Sequence, residues 1–227
     1  MKKYLSLILL ALLAIGTSHA QVSQTRNVDD FSGLSFGVAG TLILEQGNTF
    51  RVVLEGDEDF LEDIETTVRG DRLLIRHDKW FSWGNDKVTA YVTMPEIESL
   101  AVSGSGKIIA EGAIKTESLD ISVSGSGDVD LANLAAVSLD CSISGSGSME
   151  LIGEADDAEL SISGSGNFKG QDFQLRTLDV SISGSGKCHA SVEEDLEARV
   201  SGSGDIYYTG NPSVDARISG SGKVRKN

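Results

Sequence analysis

"VSGSGK", residues 102–107, has the composition of a flexible linker, yet the chain writes its Ser-Gly-Ser-Gly core seven times. The tetrads begin at Ser103, Ser124, Ser144, Ser163, Ser183, Ser201 and Ser219, so successive copies stand 18 to 21 residues apart. A linker has no reason to keep a period. A repeat of this length is one supersecondary unit stacked on copies of itself. Aligned on the first serine, the copies form columns. One residue before it stand Val102, Val123, Ile143, Ile162, Ile182, Val200 and Ile218. Three before it stand Leu100, Ile121, Cys141, Leu160, Val180, Ala198 and Ala216. Beyond the tetrad, Ile108, Val129, Met149, Phe168, Cys188, Ile206 and Val224 form another apolar column, and polar residues separate the columns throughout. Alternation with period two, rich in β-branched residues, marks a half-buried strand.

Each copy therefore reads as strand, glycine corner, strand and a short variable return such as "GQDFQLR". The repeats hold no helical stretch to cover a sheet face and no two-residue hairpin signal to reverse the chain. Strands that recur in one direction at one-coil spacing pair in parallel with the copies on either side, and crossover handedness makes the coil right-handed. The expected fold is all-β: a single-domain right-handed parallel β-helix, or β-solenoid, with one coil of 18 to 21 residues per repeat. Carried through the corner, the alternation sends both glycines inward, where side chains would collide with the core, and both serines outward. The serine hydroxyls are then expected to bond neighbouring backbone and one another along the stack. Residues 101–227 are the regular coils. Residues 27–100 are expected to be degenerate opening coils, with a separate N-terminal cap as the alternative. "LSFGVAGTLIL", residues 34–44, aligns with "LAVSGSGKIIA" when Gly40 is set on Gly106, and "FRVVLEG", "RLLIRH" and "VTAYVTMP" are further strands. The chain finishes with Lys223, Arg225 and Lys226 on the last strand, charges that guard an open sheet edge.

Residues 1–20 read as a signal peptide: Lys2 and Lys3, an apolar run too short to span a membrane, then Ser18-His19-Ala20 as a small-x-small cleavage site. Residues 21–227 would then be the solenoid domain of an exported protein, located in the periplasm, at the outer membrane or outside the cell. Net charge is −15, and losing the two leader lysines makes it more negative. Such a surface repels nucleic acid and anionic lipid, so neither is an expected partner, and no membrane span is expected after cleavage. Cys141 and Cys188 fall in inward columns two coils apart, too far for a disulfide, and are expected to be buried free thiols.

Catalytic signatures are missing. Beyond the leader stand His77 and His189, with no metalloprotease or nucleophile-elbow motif, and no tetrad continues into a dinucleotide loop. No cofactor is expected, and no metal site. One column is a weak exception: Asp120, Asp140, Glu159, Asp179, Glu197 and Asp215 would stack like charges one coil apart. Such a ladder needs compensation from cations, from nearby Arg199 and Arg217, or from hydrogen bonds at the preceding corner. "DKWFSWGNDK", residues 78–87, is the sole aromatic-rich stretch, and it interrupts the coil pattern. Trp80, Phe81 and Trp83 are the candidate ligand-binding residues, placed to stack on sugar rings or, equally, to cover the open core.

The opening "FSGLSFGVAGTLILEQG", the junction "VTAYVTMPEIESLAVSGSG" and the iterated tetrads together resemble the GIN-domain family. Those are autotransporter-adhesin head proteins of Gram-negative bacteria, above all Bacteroidetes-type exported proteins. The resemblance implies a right-handed β-helix in or outside the cell envelope, with adhesion as the family's label. The expected function is a non-enzymatic, adhesin-like binding module whose partner is a glycan or a cell-surface protein, and the fold leaves room for a homo-oligomer. A purely structural or assembly-forming solenoid is the alternative. A polysaccharide-active β-helix enzyme is a third, and the returns look too short to wall a catalytic groove.

Overall fold

The computed structural model describes residues 21–77 and 87–227. The expected leader at 1–20 and the aromatic stretch with Trp80, Phe81 and Trp83 lie outside the described residues. The repeats form a parallel β-solenoid of about 6 turns. Its rungs are β8 (Ser99–Gly104) and β9 (Lys107–Ala110), then β10 (Ile114–Gly125), β11 (Asp128–Gly145), β12 (Ser148–Gly164), β13 (Asn167–Gly184) and β14 (Lys187–Gly202). The stack ends with β15 (Asp205–Thr209), β16 (Ser213–Gly220) and β17 (Lys223–Lys226). The columns stand in direct register: Ile121 faces Cys141, Cys141 faces Leu160, and Leu160 faces Val180. Long strands run from one tetrad to the next. The variable returns are not loops but bulges in a continuous ladder, with register shifts between Leu131 and Leu134, Glu150 and Gly153, and Gly170 and Gln174. Extra residues are absorbed there, which is how unequal repeats keep their corners aligned.

The tetrad corner is a backbone device. The second serine of each copy donates its N–H to the first glycine carbonyl of the copy before, as Ser146 does to Gly125 at 2.8 Å. The next residue but one repeats this on the second glycine, Ser148 to Gly127 at 3.2 Å. The expected hydroxyl ladder is not present: the tetrad serines face solvent with no side-chain partner among the described residues. Nor do both glycines point inward. The first sits half-exposed at positive φ (Gly145, φ 123), and the second is buried under the preceding coil. A Cβ at Gly147 would stand 2.3 Å from the Gly127 carbonyl oxygen and 2.5 Å from Val123 Cγ1. Where a phosphate loop would have its third glycine, neighbouring coils instead make contacts along the stack. Lys169 bonds Glu150 at 3.1 Å, and the rings of His189 and Tyr207 stack at 4.8 Å.

The N-terminal quarter departs from a simple succession. β2 (Gly33–Gly37) and β3 (Gly40–Gln46) form a coil whose register with β8 and β9 is the alignment of Gly40 on Gly106: Leu34 faces Leu100 and Leu42 faces Ile108. On its other side this coil pairs in parallel with β6 (Arg72–His77) and β7 (Val88–Met94). The first coil is therefore inserted between later ones. The stretch "FRVVLEG" is not a coil: it forms β4 (Arg51–Asp57), antiparallel to β7 and to β1 (Gln21–Arg26). Asp57 then caps the short helix α1 (Glu58–Glu62) by accepting from the Asp59 N–H, and β5 (Ile64–Arg69) pairs antiparallel with β6 through a turn at Gly70, φ 66. These strands close the N-terminal end. Among the described residues no helix is long and apolar enough to cross a membrane.

One continuous aliphatic core runs through both parts, from Phe31 to Ile206, with no buried polar or charged residue among those described. Cys141 and Cys188 are free and buried in it. Burial pushes the Cys188 thiol up to about 12, and it raises Cys141 too, with Asp140 and Asp120 adding to the shift. Both thiols are expected to ignore Ellman's reagent in the native protein and to react in guanidinium. The sign of the pH effect follows. The thiol contribution is fully present below the unfolded value of 9.0 and is lost as pH rises towards 12, because only the unfolded chain ionises there. Denaturant midpoints measured across that window should therefore fall, and Cys188→Ala should flatten the decline.

Candidate functional site

Chemistry-bearing side chains lie outside the core, so a site must be built on the outer faces. The first surface is the line of tetrad corners. β2 and β3 turn this corner in "GVAG", and every coil from β8 onward turns it in a tetrad. In the β6–β7 coil, Arg76 lies opposite Gly37 and Val88 opposite Gly40. The described residues on either side of the Trp80, Phe81 and Trp83 stretch, Arg76 and Val88, therefore lie at the corner line. His77, next after Arg76, packs its ring 5.4 Å from Phe60.

A second surface follows the return bends. Lys115, Thr116 and Glu117 are shared by two adjoining depressions, of about 580 and 710 Å³. Gln46 closes one end: it accepts from the Lys115 N–H at 2.8 Å and donates to the Lys115 and Pro95 carbonyls at 3.0 and 3.1 Å. Ala135, Ala136 and Ala155 floor the other, with Val137 left 52% exposed. Arg176 spans its rim, donating to Asp157 at 2.7 Å and to Glu194 at 3.4 Å, and these carboxylates, Asp157 foremost, hold its guanidinium above the ordinary arginine value. Apolar floor, amide, carboxylates and one guanidinium suit a hydroxyl-rich or extended peptide ligand lying across coils. The repeat columns did not single this groove out, because its residues belong to the returns that do not repeat.

The acidic column is in register from Asp120 through Asp140, Glu159, Asp179 and Glu197 to Asp215. Arginine supplies the compensation at its C-terminal half. Arg199 donates to Asp179 at 2.8 and 3.0 Å and pairs with Glu197, and Arg217 donates to Asp215 at 3.1 Å. Hydrogen bonds at the preceding corner play no part. Asp120, Asp140 and Glu159 are exposed and have no side-chain bond among the described residues, so water screens them. Among the described residues no three His, Cys, Asp or Glu side chains converge on a point that could hold a metal ion.

A stack of coils with a filled interior and all its polar chemistry turned outward is a display scaffold. The family described as "Putative auto-transporter adhesin, head GIN domain" matches residues 30–212, and the chain belongs to it. That makes it an adhesin-like surface protein by family. Solved structures share the architecture, three of them as follows. A "putative adhesin" from Bacteroides fragilis NCTC 9343 is 24% identical, with 92% of this chain and 98% of that one covered at a TM-score of 0.84. One from Parabacteroides distasonis ATCC 8503 is 21% identical, with 92% and 98% covered at 0.76. A "putative lipid binding protein" from the same organism is 25% identical, with 93% and 98% covered at 0.74. No curated protein matches the chain in sequence.

Proposed function

We propose that this chain is the non-enzymatic binding head of an exported envelope protein, and that it takes a glycan or protein ligand through Trp80, Phe81 and Trp83. What supports the proposal is the sequence: residues 78–87 hold the sole aromatic-rich stretch, and the described residues Arg76 and Val88 that flank it lie opposite Gly37 and Gly40, the corner that β2 and β3 turn within four residues. Aromatic faces stack on sugar rings and anchor protein contacts with little entropy cost. The acidic surface limits partners to neutral or cationic ones. A leader at residues 1–20 accounts for export.

The test is a glycan array and a cell-surface binding assay on the purified protein. Trp80→Ala and Trp83→Ala together are expected to reduce binding at least tenfold, while Arg176→Gln in the return groove leaves it within about twofold. The opposite ranking would move the site to the groove. Release of reducing or unsaturated sugars from polysaccharide pools would overturn the non-enzymatic reading.

A further inference from the structure

The two ends of the solenoid are finished differently. At the N-terminal end β4 and β5 pair antiparallel with β7 and β6, whereas among the described residues β16 pairs only with β14 and β17 only with β15, both in parallel. The far edge of the last rung is unpaired backbone. Its inward column is also uncovered: Val200 is 3% exposed whereas Ile218, one coil on, is 45% exposed, and Val214 is 40% exposed. Two of the large hydrophobic side chains left exposed in the described chain therefore lie on one eight-residue strand. Lys223, Arg225 and Lys226 guard β17, but β16 carries no such guard, since its Asp215 and Arg217 balance each other.

We propose that β16 is an interface with a second copy of this chain, the two strands running antiparallel about a two-fold axis at Ala216. This goes beyond the ligand-binding proposal and does not depend on it. In that register Val214 meets Ile218 of the other copy, Asp215 meets Arg217, and Ser213 meets Ser219, so apolar falls on apolar and each charge on its opposite. Registers centred on Asp215 or Arg217 set like charges face to face, and a shift by one residue turns the apolar set to the wrong side. The strand is thus self-complementary in a single antiparallel register. A two-fold axis also reverses the direction of travel round the coil, which keeps the basic β17 strands off one another. Head-to-tail stacking would not continue the parallel ladder, because the edge strand at the N-terminal end of the ladder that carries β16 is β5, which runs antiparallel to its neighbour β6. The interface closes at two copies.

Light scattering across a concentration series, on protein recovered after export, is expected to show a dimer. Ile218→Asp should yield monomer with an unchanged circular dichroism spectrum. Asp215→Arg and Arg217→Asp should each raise the dissociation constant at least tenfold, and the double swap should restore it. Ala216→Cys should give a disulfide-linked dimer on mild oxidation, since facing strand residues stand within disulfide reach and both native thiols are buried. A monomer at every concentration, an open-ended polymer, a dimer indifferent to Ile218→Asp, or a double swap that fails to recover would each overturn the proposal. Should Ile218→Asp fail to fold, the charge swaps and the cysteine cross-link decide alone.

Discussion

Gly145→Ala is expected to be among the most damaging changes the protein can suffer, although it adds one methyl group at a half-exposed corner. The backbone there holds φ at 123, a region side chains rarely enter, and the new Cβ would stand 2.4 Å from the Gly125 carbonyl oxygen. That carbonyl accepts the Ser146 N–H at 2.8 Å, so moving it away breaks the bond that seats one coil on the next. Strain and clash together should remove about 3–5 kcal/mol, a large share of the stability of an ordinary domain. Guanidinium unfolding of Gly145→Ala beside Ser144→Ala makes the comparison. The exposed serine should change stability by no more than about 0.5 kcal/mol. If the tetrads were flexible linkers, the glycine change would instead be neutral or stabilising, because it restricts the unfolded chain.

Phe168→Ala should cost about as much by the opposite fault, a void of about 3–5 kcal/mol. The ring is 2% exposed and lies in the column between Met149 and Cys188. It also explains a glycine outside any tetrad: a Cβ on Gly170 would come within 2.5 Å of Phe168 Cε1. Gly170→Ala should destabilise the native protein by about 1–3 kcal/mol and cost much less, or nothing, once Phe168 is alanine. A double-mutant cycle by denaturant unfolding measures that coupling. Additivity of the two changes would show that the ring does not occupy the space above Gly170.

The apolar columns at Ile143, Cys141 and Phe168 were legible because stacking leaves the same side-chain position inside every coil. The ends were less so. "RVVLEGD" alternates with the same period two whether its partner runs parallel or antiparallel, so β4 looked like another coil. The Gly70-Asp71 turn carries a hairpin signal, and Asp57 before "EDFLE" a helix-cap signal; both lie outside the repeat, so the columns do not reveal them. The alignment of Gly40 on Gly106 identified one neighbour of the first coil, but no local pattern tells that β6 and β7 take its other side. The return groove depends on where bulges fall, as between Leu131 and Leu134, and these are set by how coils of unequal length are reconciled. Trp80, Phe81 and Trp83 stand out as a break in composition, and the register of β6 and β7 adds that the flanking residues Arg76 and Val88 lie at the corner line.

The insertion of β2 and β3 between later rungs also governs the order in which the molecule can assemble. Gly33 must find both Arg72 and Ser99, so the earliest coil to leave the ribosome has no seat until the chain beyond it has followed. Each coil after Ser99 needs only the one before it, and the C-terminal half can add rung by rung. The slow step of folding therefore lies near the N-terminal end, where contacts are most distant in sequence, and the coil that is made first is the one that stays open longest to proteases and chaperones.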